Sequence, residues 1–270
     1  MTIMLRPEVP TDHRAVEEMT REAFWGMSGP RCDEHLLVHR LRESDVFVPE
    51  LDLVAEREGV LVGHVMYTRA RVVGEGRTTD VLTFGPLTVL PCYQGTGIGG
   101  ALLRHTLAEA ARQGHRAVVV YGHPDYYPRF GFVRGGDVGI TGPGGVTFDA
   151  LMALALVDGG LDGIRGEFIE DPVFHLDPGE AAAFDATFPA KEPASPTSIG
   201  VLDGRVPPGL VAALREHGLA DLEAVRRFSA AEVGGWDGVG PECCEALRRV
   251  LAARGLRWGS ATLGRSRPAP

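Results

Sequence analysis

"YQGTGIGGALL", residues Tyr93 to Leu103, sets glycines at 95, 97, 99 and 100 and then runs directly into a helical pattern. Behind it, "VLTFGPLTVL" (residues 81–90) reads as a buried strand interrupted at Gly85–Pro86, as at a bulge or splay. Ahead of it, "GALLRHTLAEAARQG" puts Ala101, Leu102, Leu107, Ala108 and Ala111 on one helical side and stops at Gly114. A strand, a glycine turn and a helix start suit an anion. The first helical turn has N–H groups without intrahelical partners and lies at the positive end of the dipole, and glycines let the backbone approach phosphate oxygens. From the loop alone three readings stand. A P-loop wants a lysine after the glycines, which is missing. Gly95, Gly97 and Gly100 fit the dinucleotide spacing GxGxxG, but the next strand ends at Tyr121–Gly122 without an acid. The third is a tight turn with no ligand.

The flanking chain predicts an α/β fold. "TIMLRPEV" reads as a strand. "TDHRAVEEMTREAF" reads as a helix with Asp12 at its cap and Val16, Met19 and Phe24 near one face, and "DEHLLVHRLRES" as a second helix. Two strands follow, turning at Glu58–Gly59. "RAVVVYG" is a continuous apolar strand, as in a sheet covered on both faces. "DYYPRFGF" is a short helix or turn, "GVTFDALMALAL" a strand or helix, and "GIRGEFIEDPVF" a strand.

Gln94–Gly95–Thr96–Gly97–Ile98–Gly99 also fits [Q/R]-x-x-G-x-[G/A] between strand and helix, and Tyr127 precedes Gly131–Phe132 in the spacing Tyr-x-x-x-Gly-Phe. With these two motifs the chain resembles the GNAT superfamily of N-acetyltransferases, over roughly residues 1–155. "GHPDYYPRFGF" is similar to a bacterial subgroup of predicted N-acetyltransferases. The resemblance implies a mixed, centrally splayed sheet flanked by helices, and acetyl-coenzyme A as co-substrate, with no metal. It implies that Leu87, Thr88 and Val89 border the pantetheine arm, Leu87 and Val89 through main-chain groups. Gln94, Gly95, Thr96, Gly97, Ile98, Gly99 and Gly100 would surround the diphosphate. It implies Tyr127 as the acid that protonates the departing thiolate, which suits a phenol with a pKa near ~10. Dimers are common in this family.

The reaction so implied is direct attack of an amine on the thioester. The acceptor is a small-molecule or peptide amine that the sequence does not specify. The strand "VLTFGPLTV" carries no carboxylate, so the base is sought among Glu22, His64 and Asp80. His123 and Asp125 read as loop-shaping residues, Tyr126 as a lesser rival of Tyr127, and Cys92 as a buried thiol. Phe24, Trp25 and Met27 suggest an apolar wall beside the acceptor.

The 270 residues carry a net charge of −9 and 44% hydrophobic residues, which argues against whole-chain attraction to nucleic acid or anionic membrane. Cys32, Cys92, Cys243 and Cys244 form no CxxC pair and read as reduced, buried thiols. With no apolar leader in "MTIMLRPEVPTDHR" and no spanning segment, the expectation is a cytoplasmic protein.

Residues 1–190 are expected to form the acetyltransferase-like domain. A proline-rich linker at 191–208, a helical module at 209–258 and a disordered tail at 259–270 would follow. In the module, Asp221 caps a helix, Ser229 and Glu232 form a capping box, and Pro241 opens the last helix. "LREHGLADLEAV", "SAAEV", "GVG" and "EALRRVLAARGL" resemble the helix-hairpin-helix C-terminal domain of the RNA polymerase α-subunit. From Leu210 to Trp258 seven arginines meet seven acids, which weakens the case for DNA. The alternative function is a regulatory protein that senses acyl-coenzyme A and contacts DNA or the transcription machinery through this module.

Overall fold

Four strands run antiparallel in chain order: β1 (Met4–Pro7), β2 (Phe47–Arg57), β3 (Val60–Gly74) and β4 (Arg77–Val89). The β2–β3 turn falls at Glu58–Gly59, both with positive φ (54° and 81°), as a two-residue hairpin that matches strand twist requires. The computed structural model describes residues 3–27, 31–193, 198–204, 206–225 and 228–252. They fall into two compact units, residues 1–24 with 33–190, and residues 25–32 with 191–270.

In the first unit the helix α1 (His13–Phe24) buries Val16, Met19 and Ala23 at helical spacing, and α2 (Glu34–Arg42) buries Leu36, Val38 and Leu41. Both cover the sheet face that carries Val54 and Met66. The opposite face carries Val65 and Tyr67 and receives α3 (Ile98–Arg112) through Ile98, Leu102 and Leu103. Gly63 permits that docking. A Cβ there would stand 2.9 Å from Ile98 Cγ2 and 3.2 Å from the Thr88 carbonyl. After α3, β5 (Ala117–Tyr121) joins β4 in parallel, so α3 is the crossover helix that a parallel pair needs.

Four short strands complete the sheet. β6 (Val133–Arg134) and β8 (Leu151–Ala155) extend it beyond β5, with β8 antiparallel to β5. β7 (Ile140–Thr141) pairs with β9 (Gly166–Ile169), which lies along Arg71–Val73 of β3. The expected mixed sheet flanked by helices is therefore present. "GVTFDALMALAL" resolves as the strand β8, preceded by irregular chain.

The helix α4 (Pro178–Asp185) has no counterpart in the sequence reading. Its apolar stripe is too short to register, because polar links hold it. Asp185 Oδ1 accepts from Arg21 Nε at 2.6 Å, both side chains being buried, and Arg14 donates to the Thr187 carbonyl at 2.7 Å. Asp12 lies in a 3-10 turn (Pro10–Asp12) rather than at the cap. It folds back to accept from the Val9 N–H at 3.0 Å and the Arg6 guanidinium.

In the second unit, α5 (Pro208–Glu216), α6 (Leu222–Val225), α7 (Ala230–Gly234) and α8 (Pro241–Ala252) enclose a core that includes Leu210, Leu214, Val233 and Leu247. Asp221 Oδ1 accepts from the Ala224 N–H at 2.6 Å, and the Ser229–Glu232 capping box closes in both directions. The sequence reading carried the linker through 208. Instead Ile199, Leu202 and Val206 are buried in this core, because a short apolar turn (Ile199–Leu202) sits amid the prolines. The end of the expected module, residues 253–258, and the tail 259–270 lie outside the described residues.

Candidate active site

The glycine loop begins where β4 ends. Gln94 Nε2 donates to the Val89 carbonyl at 3.1 Å, and the Thr96 hydroxyl donates to the Tyr93 carbonyl at 2.6 Å, so these side chains brace the loop from within. Gly95 and Gly97 hold φ of 79° and 92°, a region that L side chains enter at a cost. Gly97 is the N-cap of α3 and offers no side chain, and the first bond of the helix runs from the Ala101 N–H to the Gly97 carbonyl. The N–H groups of Ile98, Gly99 and Gly100 thus face out of the first turn of a 15-residue helix. Ile98 itself is a core residue, 3% exposed.

β4 and β5 pair at Leu82↔Val118, and no pairing continues to their ends among the described residues. β4 bulges there against β3, whose register shifts between Val65↔Leu87 and Tyr67↔Phe84 across Gly85–Pro86. The two parallel strands therefore open a V. Leu87 and Val89 turn toward the α3 side. Thr88 turns to the other side, where its hydroxyl lies 3.2 Å from that of Thr20, fully buried. Its side chain serves the packing of α1. The Val89 carbonyl is already taken by Gln94.

The two tyrosines diverge. Tyr126 reaches the loop: a Cβ on Gly99 would stand 3.2 Å from Tyr126 Oη and 3.4 Å from Val89 Cγ2. Tyr127 opens a 3-10 turn (Tyr127–Phe130) and lies among Phe84 and Phe132, ring centroids 5.7 and 5.4 Å away. It is near enough to raise the pKa of the buried Tyr67 phenol, which burial raises most. Tyr127 is thus placed beside Phe84, the residue before the splay.

Of the base candidates, none reaches the V as a free base. His64 is completely buried, with its Nε2 2.8 Å from Asp52 Oδ1, and burial pushes its pKa down to about 4. Burial also raises Asp52 to about 6 and lifts the Glu8 carboxyl. Glu8, Asp52 and His64 bring ligand atoms within 4.8 Å of one another. Arg42 already forks onto Glu8 at 2.7 and 2.9 Å, so a cation is supplied by the protein. Asp80 is exposed and faces Arg71, near the β3–β4 turn and away from the splay. Glu22 is exposed on α1. His123 Nδ1 accepts from the Asp125 N–H at 3.1 Å and shapes its turn.

Cys92 corrects the sequence reading: it is exposed, because it occupies the 3-10 turn (Pro91–Tyr93) that leaves the sheet. Of the four thiols only Cys243 is buried. Trp25 and Met27 fall in the second unit, where Trp25 Nε1 donates to the Glu192 carbonyl at 3.0 Å. Phe24 closes α1 in the first.

Sequence reasoning passed over the cations. Arg104 stands over the loop, with its guanidinium nitrogens 3.5 and 3.6 Å from where a Gly100 Cβ would be. Arg57 lies 5.4 Å from the Tyr93 ring centroid and Arg129 4.6 Å from that of Tyr126. An arginine four residues past a loop glycine, one helical turn on, was the available signal for Arg104.

Comparison with known proteins adds three findings. A family profile described as "Acetyltransferase (GNAT) domain" matches residues 6–135. Two relatives from Escherichia coli strain K12 are both described as uncharacterized N-acetyltransferases. YjhQ is 42% identical over 134 residues, 49% of this chain and 71% of the relative, and YhbS is 33% identical over 167 residues, 61% and 93%. Among solved structures, YhbS in complex with coenzyme A superposes with a TM-score of 0.56 at 29% identity, covering 64% of this chain and 91% of that one. A GNAT acetyltransferase from Brucella melitensis in complex with acetyl-coenzyme A gives 0.52 at 28% identity, covering 64% and 98%. Among the described residues no helix is long and apolar enough to cross a membrane.

Proposed function

The chain belongs to the GNAT family of N-acetyltransferases, and from that membership we propose that it moves an acetyl group from acetyl-coenzyme A to a primary amine by direct attack in a ternary complex. The carrying observation is one juxtaposition. A glycine cradle at a helix N-terminus adjoins the V between β4 and β5, and Tyr127 packs beside Phe84 at that V.

The residues fit the donor. Outward N–H groups and the dipole of α3 favour a diphosphate, and Arg104 adds a charge above Gly100. That cation matters more in a chain of net charge −9. Coenzyme A, when acetylated, supplies an activated thioester. Gly95 to Gly100 are proposed to hold its diphosphate, with Gln94 as the brace of that loop, and the main chain of Leu87 and Val89 to border its arm. Tyr127 is proposed to give a proton to the departing sulfur.

The second unit is proposed to be a helix-hairpin-helix-like module in a structural or protein-contact role. Glu242 argues against DNA: a Cβ on Gly240 would stand 2.5 Å from its Oε1, so an acid already fills the face where a phosphate would sit.

Two measurements test the reading. Coenzyme A should raise the melting temperature of the intact chain, and acetyl-coenzyme A should be consumed only when an amine is added. Consumption that is independent of any amine rejects the scheme.

A further inference from the structure

The side of the V opposite Tyr127 carries an acid without a partner. Tyr121 ends β5 at the mouth of the V. Its strand neighbour Val120 packs with the α3-side core, and Tyr121 turns the other way. There its ring meets Phe168 at 5.3 Å and Phe148 at 5.7 Å. Phe168 lies on β9, and Glu170 follows just past the end of that strand, close enough for its charge to act on the Tyr121 phenol. The last paired residues are Arg71↔Ile169, so Glu170 follows directly beyond that pairing, toward the Ala70 end of β3. Thr68, two residues further along β3, has a buried hydroxyl with no hydrogen-bond partner. Glu170 is half-buried, and among the described residues no hydrogen bond or ion pair satisfies its carboxylate. Glu170 and Glu167 are the charges that act on the Tyr121 phenol and raise its pKa beyond what burial does.

We propose that Glu170 is the general base of the acetyl transfer and binds the ammonium of an acceptor whose apolar, flat body lies against Tyr121 and Phe148. This rests on the acetyltransferase reading above. Acid and base then stand on opposite faces of the sheet, with the V between them. The ammonium gives one proton to Glu170, which releases it to solvent. The freed amine forms the new N–C bond, the C–S bond breaks, and the second nitrogen proton ends on the sulfur by way of Tyr127. A half-buried carboxylate with no partner is costly to keep charged, which is a mark of functional sites. Burial lifts Glu170 to about 7, suited to proton transfer near neutrality.

Phenethylamine is the probe, with the full chain and acetyl-coenzyme A, and thiol release is followed from pH 5.5 to 9. The wild type should acetylate it, with kcat/KM breaking near pH 7. Glu170→Gln should lower kcat/KM by about 100-fold and remove the break, with the coenzyme A-induced melting shift unchanged. Glu170→Asp should recover part of the loss. Activity in Glu170→Gln within about threefold of wild type, with the break retained, overturns the proposal. So does a wild type that coenzyme A stabilises and that acetylates other amines but not phenethylamine; the acetyltransferase reading would then survive. A wild type that neither responds to coenzyme A nor consumes acetyl-coenzyme A with any amine refutes both.

Discussion

The ring of Tyr127 occupies the space beside Gly122: a Cβ on that glycine would stand 2.3 Å from Tyr127 Cε2. Gly122→Ala must therefore displace the Tyr127 ring from this position. Overpacking of this kind costs about 1–3 kcal/mol, and displacing a catalytic group by about 1 Å costs up to ~100-fold in rate. The expected outcome is a loss of turnover of at least ~10-fold with the coenzyme A-induced melting shift kept. Steady-state rates and thermal melts on the one variant check it.

Tyr126 and Tyr127 are adjacent but separable. Tyr127→Phe keeps the ring packing with Phe84 and Phe132 and removes the proton, so kcat should fall about 100-fold with donor affinity unchanged. Tyr126→Phe removes the hydroxyl near Gly99, so the donor KM should rise a few-fold while kcat holds. Comparing both variants at saturating donor decides which tyrosine is the acid, and the reverse pattern would exchange their roles.

Arg104 is exposed, and its attraction to a bound diphosphate is screened by salt. Arg104→Gln should weaken coenzyme A about 3- to 10-fold at low salt, with the deficit shrinking in ~0.5 M salt. Calorimetric titration at two salt concentrations measures this. A deficit that ignores salt would mean that the arginine acts through its packing on Phe130.

Glu170 also makes a stability prediction. Its folded pKa is about 7, above the ordinary carboxyl value of 4.5, because burial disfavours the charge. Between these two values the folded state holds the proton more tightly than the unfolded state. Its contribution is therefore most favourable below the unfolded value and is lost as pH rises through about 7. Glu170→Gln cannot ionise, so it should match wild type near pH 4.5 and exceed it above pH 7, by a few kcal/mol at most. Denaturant melts at pH 5 and pH 8 test the sign.

The glycine loop, the splay and the tyrosine turn were readable because each announces itself locally. Glycines at 95 and 97 are needed for their positive φ, "GPLTV" carries its own bulge, and Tyr127 stands at fixed spacing from Gly131–Phe132. The surroundings of Glu170 were not. Glu170 sits in "GEFIEDPVF", where a lone acid at a strand end looks like any solvated residue. Only the pairing of β9 with β3, nearly a hundred residues earlier in the chain, gives it a burial and a neighbour. His64 failed for the complementary reason. A histidine between apolar residues reads as an isolated titratable group, but long-range pairing joins it to Asp52 and Glu8 in a closed, buried set. The helix α4 escaped because ion pairs to α1 and α2, Arg21–Asp185 and Arg40–Glu180, rather than a long apolar stripe, hold it down.

β9 also has a consequence for how such chains diversify. The family profile covers residues 6–135, which include the glycine loop, the splay and Tyr127, whereas Phe148, Phe168 and Glu170 lie beyond it. Apart from Tyr121, the two sides of the V are thus written in separate stretches of chain. If Phe148 and Glu170 receive the acceptor as proposed, drift in the later stretch can change who receives the acetyl group without disturbing the machinery that delivers it. Exchanging that stretch alone between two such proteins is accordingly the shortest route to a transferase with a borrowed acceptor.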